Sequence, residues 1–122
     1  MTSANDRTVD HWLDDIVQWG ARIKGYLAGL NQSEFESDEK TQDAVIRCIE
    51  CIGEASKHII SHKLELGLEI EIADFQDALW ARNRLAHGYF DVELTRVWST
   101  ATSSVSALVM KVEAIISKRR AR

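Results

Sequence analysis

Proline is absent from all 122 residues and glycine occurs only six times. Proline removes an amide donor and clashes with the preceding helical turn, and glycine raises the entropic cost of ordering, so a chain nearly free of both is open to long helices. The apolar residues use that freedom. From Arg7 to Leu30, Trp12, Ile16, Trp19, Ile23, Tyr26 and Leu30 recur every three or four positions, the stripe of an amphipathic helix. After a polar run at 31–38, NQSEFESD, read as a loop rich in capping residues, a second helix is expected from near Glu39 to about His62. Val45, Cys48, Ile49, Ile52, Ala55, Ile59 and Ile60 form its stripe. Lys63 to Ile72 contains Gly67 and has no clean period, which suits a loop or a short turn of helix. A third, shorter helix is expected from Asp74 as N-cap, through Phe75, Ala78, Leu79, Arg82 and Leu85. Asp91 can cap a fourth, striped by Leu94, Val97, Trp98, Ala101, Val105, Leu108, Val109, Val112 and Ile116. No segment alternates as a strand does. The expected fold is an all-α, up-and-down bundle of three long helices and one short one, a single domain over residues 1–122.

A chain of this length, 45% hydrophobic and 28% charged, can bury one core. No stretch approaches a membrane span and the N-terminus has no leader pattern, so a cytoplasmic protein is expected. The net charge of −4 argues against broad electrostatic capture of nucleic acid, yet charge is unevenly placed. Arg82, Arg84 and Arg96 gather in one region and Lys118, Arg119, Arg120 and Arg122 form a basic tail, whereas Glu34 to Glu39 and Glu65 to Asp77 are acidic. A focused site is compatible with this pattern. The tail is explained by the dipole of a terminal helix, which favours cations at its end.

The region that concentrates chemistry is WARNRLAHGYFD, Trp80 to Asp91. Arginine is always cationic and its planar fork matches phosphate oxygens, while histidine exchanges a proton near neutrality. In RNA the 2′-hydroxyl attacks the adjacent phosphate when a base takes its proton and a cation stabilises the developing charge, with no metal required. On a continuous helix Arg82 and His87 lie roughly 140° apart and share no face. A helix that frays near Ala86 and turns at Gly88 would let His87 and Tyr89 swing toward Arg82. The alternative is structural: His87 and the arginines would be helix-end charges, and Tyr89 and Phe90 ordinary packing aromatics.

The block RNRLAHGYFD resembles the signature of the HEPN superfamily, with Arg82, Asn83, His87 and Tyr89 at its defining positions. Upstream, DAVIRCIECIGEASK from Asp43 to Lys57 is similar to the Ile-Gly-Glu-Ala helix of the HepT-like branch. The branch commonly carries a Pro-Trp pair ahead of the signature helix; here Phe75 stands at the Trp position. The resemblance implies a metal-independent endoribonuclease, the toxin of a toxin-antitoxin pair, with no cofactor. Arg82 would hold the scissile phosphate, His87 would act as general acid or base, and Asn83 would orient substrate or the catalytic groups. It also implies a homodimer in which two signatures face one cleft. Four tryptophans in so small a chain point the same way, since they supply more apolar surface than a thin core readily hides. The implied partner is a minimal nucleotidyltransferase antitoxin, which in parts of the family silences the toxin by adenylylating the residue equivalent to Tyr89. Two other readings stay open: a non-catalytic subunit that presents substrate to a nucleotidyltransferase, and a plain helical interaction protein.

Other residues carry less. Cys48 and Cys51 are spaced as in redox or zinc motifs, but they fall in a helical stripe with no second pair, which favours apolar packing. Glu50 and Glu54 have cationic neighbours at helical spacing, Arg47 before and Lys57 and His58 after, so surface pairing is expected, with Glu54 also placed to line the site. Gly53 and Ala55 suit close helix approach. His11, His58 and His62 show no convergent partners and are expected to be exposed.

Overall fold

The computed structural model describes residues 8–66, 71–87 and 93–121. The described elements are helical throughout: α1 (Val9–Leu27), α2 (Gln32–Glu36), α3 (Glu39–Ser61), α4 (Lys63–Leu66), α5 (Ala73–Ala86), α6 (Leu94–Ser99), a π-helical turn (Thr100–Ser104) and α7 (Val105–Arg120). The last three follow one another without a break and form the long fourth helix expected from the apolar spacing. Helix α1 opens with a capping box in which the His11 amide donates to Thr8 Oγ1 and the Thr8 amide donates to His11 Nδ1. Asp38 caps α3 by accepting from the Thr41 amide at 3.1 Å and the Thr41 hydroxyl at 2.7 Å.

Three positions depart from the expected elements. The polar run 31–38 is a five-residue helix rather than a loop. Asn31 and Glu34 close a capping box around it, and its single aromatic, Phe35, is fully buried against Trp98 with ring centres 5.5 Å apart. Asp74 is not the N-cap of α5. Ile72 takes that position with no side-chain cap, and Asp74 sits in the first turn, paired to Lys111 Nζ at 2.9 Å. Within the fourth helix the hydroxyls of Thr102 and Ser106 donate to the carbonyls of Trp98 and Thr102, one turn back. Competition of this kind for helix carbonyls loosens the regular ladder, in keeping with the wider turn formed there. Asp91 lies outside the described residues, and the observed N-cap of α6 is Glu93.

Helix α3 is the centre of the bundle, packed against α1 on one side and α5 on the other, with α7 closing on α1. The core joins Leu13, Ile16, Val45, Ile52, Ile59, Phe75 and Leu108, all buried. Burying each such side chain contributes about 1.5–3 kcal/mol. Two glycines set the spacing. A Cβ on Gly20 would come 2.6 Å from Val109 Cγ2, which draws α1 onto α7. A Cβ on Gly53 would lie 2.2 Å from Arg82 Cβ and 2.9 Å from the Ala78 carbonyl, so α3 touches the backbone of α5 at the residue expected to hold phosphate. No described helix is long and apolar enough to cross a membrane.

The two ends of the described chain meet where Arg119 Nε donates to Asp10 Oδ1 at 2.6 Å. That hydrogen bond holds the Asp10 carboxyl below the ordinary carboxylate value, and the Thr41 bonds do the same for Asp38. Lowered folded-state values mean stability that is present above about pH 4 and lost as the pH falls through them. Asp10→Asn should therefore lower the melting temperature at neutral pH by at most a few degrees, since the Asp10 carboxylate is largely exposed. It should also flatten part of the acid-side decline, read as melting temperature between neutral pH and pH 2.

Candidate active site

Arg82 occupies the face of α5 that meets α3. Its Cβ is pressed into the gap left by Gly53, so its stem is fixed by backbone contact. Beyond the stem the guanidinium lies between two acceptors, Asn83 Oδ1 at 3.1 Å from Nη1 and Glu54 Oε2 at 3.6 Å from Nη2. The side chain retains 37% exposure, so a cation held from two sides still faces solvent. Glu54 thus belongs to the Arg82 environment, as its place in the Ile-Gly-Glu-Ala helix allowed, and it also approaches His58 Nε2 at 3.5 Å.

His87 is the C-cap of α5, exposed, with its amide directed at the carbonyls of Arg84 and Leu85 and backbone angles of φ −91° and ψ 5°. Helix α5 therefore ends at Ala86, where the fray was expected, and His87 has left the helical region. The turn expected at Gly88 falls outside the described residues, and counted along the helix Arg82 and His87 are roughly 140° apart. Asn83 bridges that offset. Four residues before His87, it shares the His87 side of the helix, and the hydrogen bond from Arg82 pulls the guanidinium toward that side. Gly88 and Tyr89 lie outside the described residues.

The histidines of α3 are not the isolated surface residues expected. His58 stacks on Trp12 with centroids 4.7 Å apart and planes 14° off parallel, and His62 meets the same indole at 4.8 Å and 49°. Their spacing, one turn apart and opposite a tryptophan of the first helix, was the available signal. His11 is exposed and engaged in the α1 cap. Cys48 is buried and Cys51 half-buried, and burial pushes both thiols upward, which disfavours the reactive thiolate. Among the described residues no three His, Cys, Asp or Glu side chains converge as a metal site would need.

A second cationic group flanks the signature. The guanidinium carbons of Arg84 and Arg96 lie 5.0 and 5.2 Å from the centre of the Trp80 ring, and Glu93 accepts from both arginines, at 2.8 Å from Arg96 Nε. Of the four tryptophans, Trp12 is core and Trp19 and Trp98 are partly buried against it, whereas Trp80 is 48% exposed.

Residues 18–115 match the family model described as ribonuclease HepT-like. The chain belongs to that family. It lies within the HEPN superfamily, as the signature and the all-α bundle implied. A protein named "Probable ribonuclease HepT" from Thermococcus cleftensis is 34% identical to this HepT-like chain over 107 residues, covering 88% of the chain and 94% of the relative. Two Methanocaldococcus jannaschii proteins named as candidate RNases, MJ1216 and MJ0125, are 31% and 32% identical over 110 residues, each covering 90% of the chain and 88% and 92% of the relative. No solved structure is significantly similar.

Proposed function

We propose that this HepT-like chain is a metal-independent endoribonuclease and the toxin of a toxin-antitoxin pair, acting in the cytoplasm as one domain over residues 1–122. The observation that carries the reading is the Arg82 guanidinium, fixed at its stem by Gly53, oriented by Glu54 and Asn83, and still open to solvent one turn before an exposed His87. A preorganised cation of this kind stabilises charge developing on a phosphate without reorganising as the reaction proceeds. The names carried by the relatives support the same chemistry.

In this mechanism the 2′-hydroxyl of RNA loses its proton to a base and its oxygen attacks the adjacent phosphorus. The P–O bond to the 5′ oxygen of the next nucleotide breaks, and that oxygen gains a proton. Arg82 binds the non-bridging oxygens, Asn83 keeps the guanidinium turned toward the substrate, and His87 transfers a proton as acid or base. A homodimer with two signatures in one cleft supplies a second His87, so that one imidazole accepts as the other donates. This arrangement also removes the need for Arg82 and His87 of one protomer to share a helix face.

The partner on this reading is a minimal nucleotidyltransferase antitoxin. Adenylylation joins the Tyr89 phenolic oxygen to the α-phosphorus of ATP and releases pyrophosphate, placing a bulky anion beside His87. Induction of the chain alone should arrest growth, and Arg82→Ala should relieve the arrest. A non-catalytic substrate-presenting subunit or an inert bundle would be harmless in either form. After co-expression with the nucleotidyltransferase encoded beside it, intact mass should rise by whole AMP units that are absent in Tyr89→Phe. Full neutralisation of an unmodified chain would replace adenylylation by steric masking.

A further inference from the structure

We propose that the cleft beside Trp80 is a nucleobase subsite, holding a base of the single-stranded RNA next to the phosphate being cut. The proposal rests on the ribonuclease reading and adds to it a specificity-determining residue. Trp80 is the most exposed tryptophan of the chain and stands at the wall of an open cleft of about 550 Å3. Arg96, Asp77, Ser99, Thr100 and Ser103 complete the side chains that matter there. The three hydroxyl residues come from the end of α6 and the π-helical turn, an irregularity of a kind frequently found at functional sites.

The chemistry of this wall fits a nucleotide better than an aliphatic partner. The indole and the two guanidiniums lying over it form one stacked group, to which a base adds by stacking on an indole or guanidinium plane while the cations attract the phosphates on either side of it. Glu93 holds both Arg84 and Arg96, so their positions are set in advance. Hydroxyls and the Asp77 carboxylate supply acceptors and donors for the edge of a base. The placement along α5 is also right. Trp80 and Arg84 are at i and i+4 on one face of α5, and His87, its C-cap, follows three residues after Arg84. A base stacked on Trp80 therefore anchors the strand on the side of α5 that leads toward His87.

The test measures binding in a His87→Ala background, where no turnover intervenes, by fluorescence anisotropy of a labelled single-stranded RNA. Trp80→Leu should weaken binding about 10- to 100-fold, in the range expected for loss of one stacked base, and Trp80→Phe should retain most of the affinity. An RNA made abasic at the position served by Trp80 should bind Trp80→Leu and the parent equally. Equal affinity of Trp80→Leu and its parent for intact RNA would overturn the subsite. A loss of binding accompanied by a changed sedimentation coefficient would also overturn it, assigning the indole to a protein contact. No RNA binding by the parent would overturn it as well. Cleavage by the chain with His87 restored is scored separately, so failure of the subsite and failure of the ribonuclease reading give different results.

Discussion

Replacement of His87 by alanine is expected to reduce RNA cleavage by about 10²–10⁴-fold, the usual contribution of a positioned acid or base. The fold should be unaffected. His87 is exposed at the C-cap of α5, where its backbone amide closes the last turn on the carbonyls of Arg84 and Leu85, a bond that alanine keeps. Circular dichroism and melting temperature should match the wild type within a degree or two, which separates lost chemistry from lost structure. A His87→Ala protein that cleaves as fast as wild type would remove the residue from the mechanism. Arg82→Ala should fall by a similar factor through a different cause, loss of charge stabilisation at phosphate. If the two act on one phosphate, the double variant should be little worse than either alone.

The second large effect is expected at a residue with no reactive group. Gly53→Ala puts a methyl group 2.2 Å from Arg82 Cβ and 2.9 Å from the Ala78 carbonyl, atoms on or next to the α5 backbone that cannot rotate away. Helices α3 and α5 must separate, at a cost of about 1–3 kcal/mol for overpacking. Because the clash falls on the stem of Arg82, activity should fall more steeply than stability, on the order of 10²-fold for a displacement near 1 Å. Gly25→Ala is the matched control. It lies in α1 with nothing within 4 Å of the added carbon, and alanine there should be neutral or stabilising by up to about 1 kcal/mol. Cleavage and urea unfolding on both variants decide the matter. A Gly53→Ala protein with full activity would show that the α3–α5 contact does not position Arg82.

The helices α1, α3 and α5 and the long run from Leu94 were legible because each buries an apolar stripe that recurs at helical spacing. Helix α2 was not, because periodicity needs more than one apolar residue. Phe35 alone carries its burial, and the only sequence mark was the Asn31–Glu34 capping box. The N-terminus of α5 was misread for a tertiary reason: Asp74 is a good cap in isolation, but Lys111 on α7 draws its carboxylate away. The π-helical turn has no signature in apolar spacing. It becomes intelligible only once the hydroxyls of Thr102 and Ser106 are seen bonding back to the preceding turn.

At the candidate site the residue types were legible and their support was not. Arg82, Asn83 and His87 stand out in the sequence as chemistry crowded at a helix end. That Gly53 fixes the arginine, and that Asn83 links it across the helix toward His87, are tertiary facts. The expected fray near Ala86 assumed that one protomer must bring Arg82 and His87 together. The helix does end at Ala86, with His87 as its C-cap, and the turn expected at Gly88 lies outside the described residues. Trp80, first grouped with the signature as a flanking letter, proves to be the aromatic centre of an arginine pair.

The most direct measurement is cleavage of a single-stranded RNA by the purified chain in excess EDTA, with products resolved by mass. Cleavage should be undiminished by the chelator and leave a 2′,3′-cyclic phosphate on the upstream fragment. No cleavage is expected when the nucleotide 5′ to the cut carries a 2′-deoxyribose, because the attacking oxygen is then missing. Intact RNA under all conditions, cleavage abolished by EDTA, or undiminished cutting next to the 2′-deoxy nucleotide would contradict it.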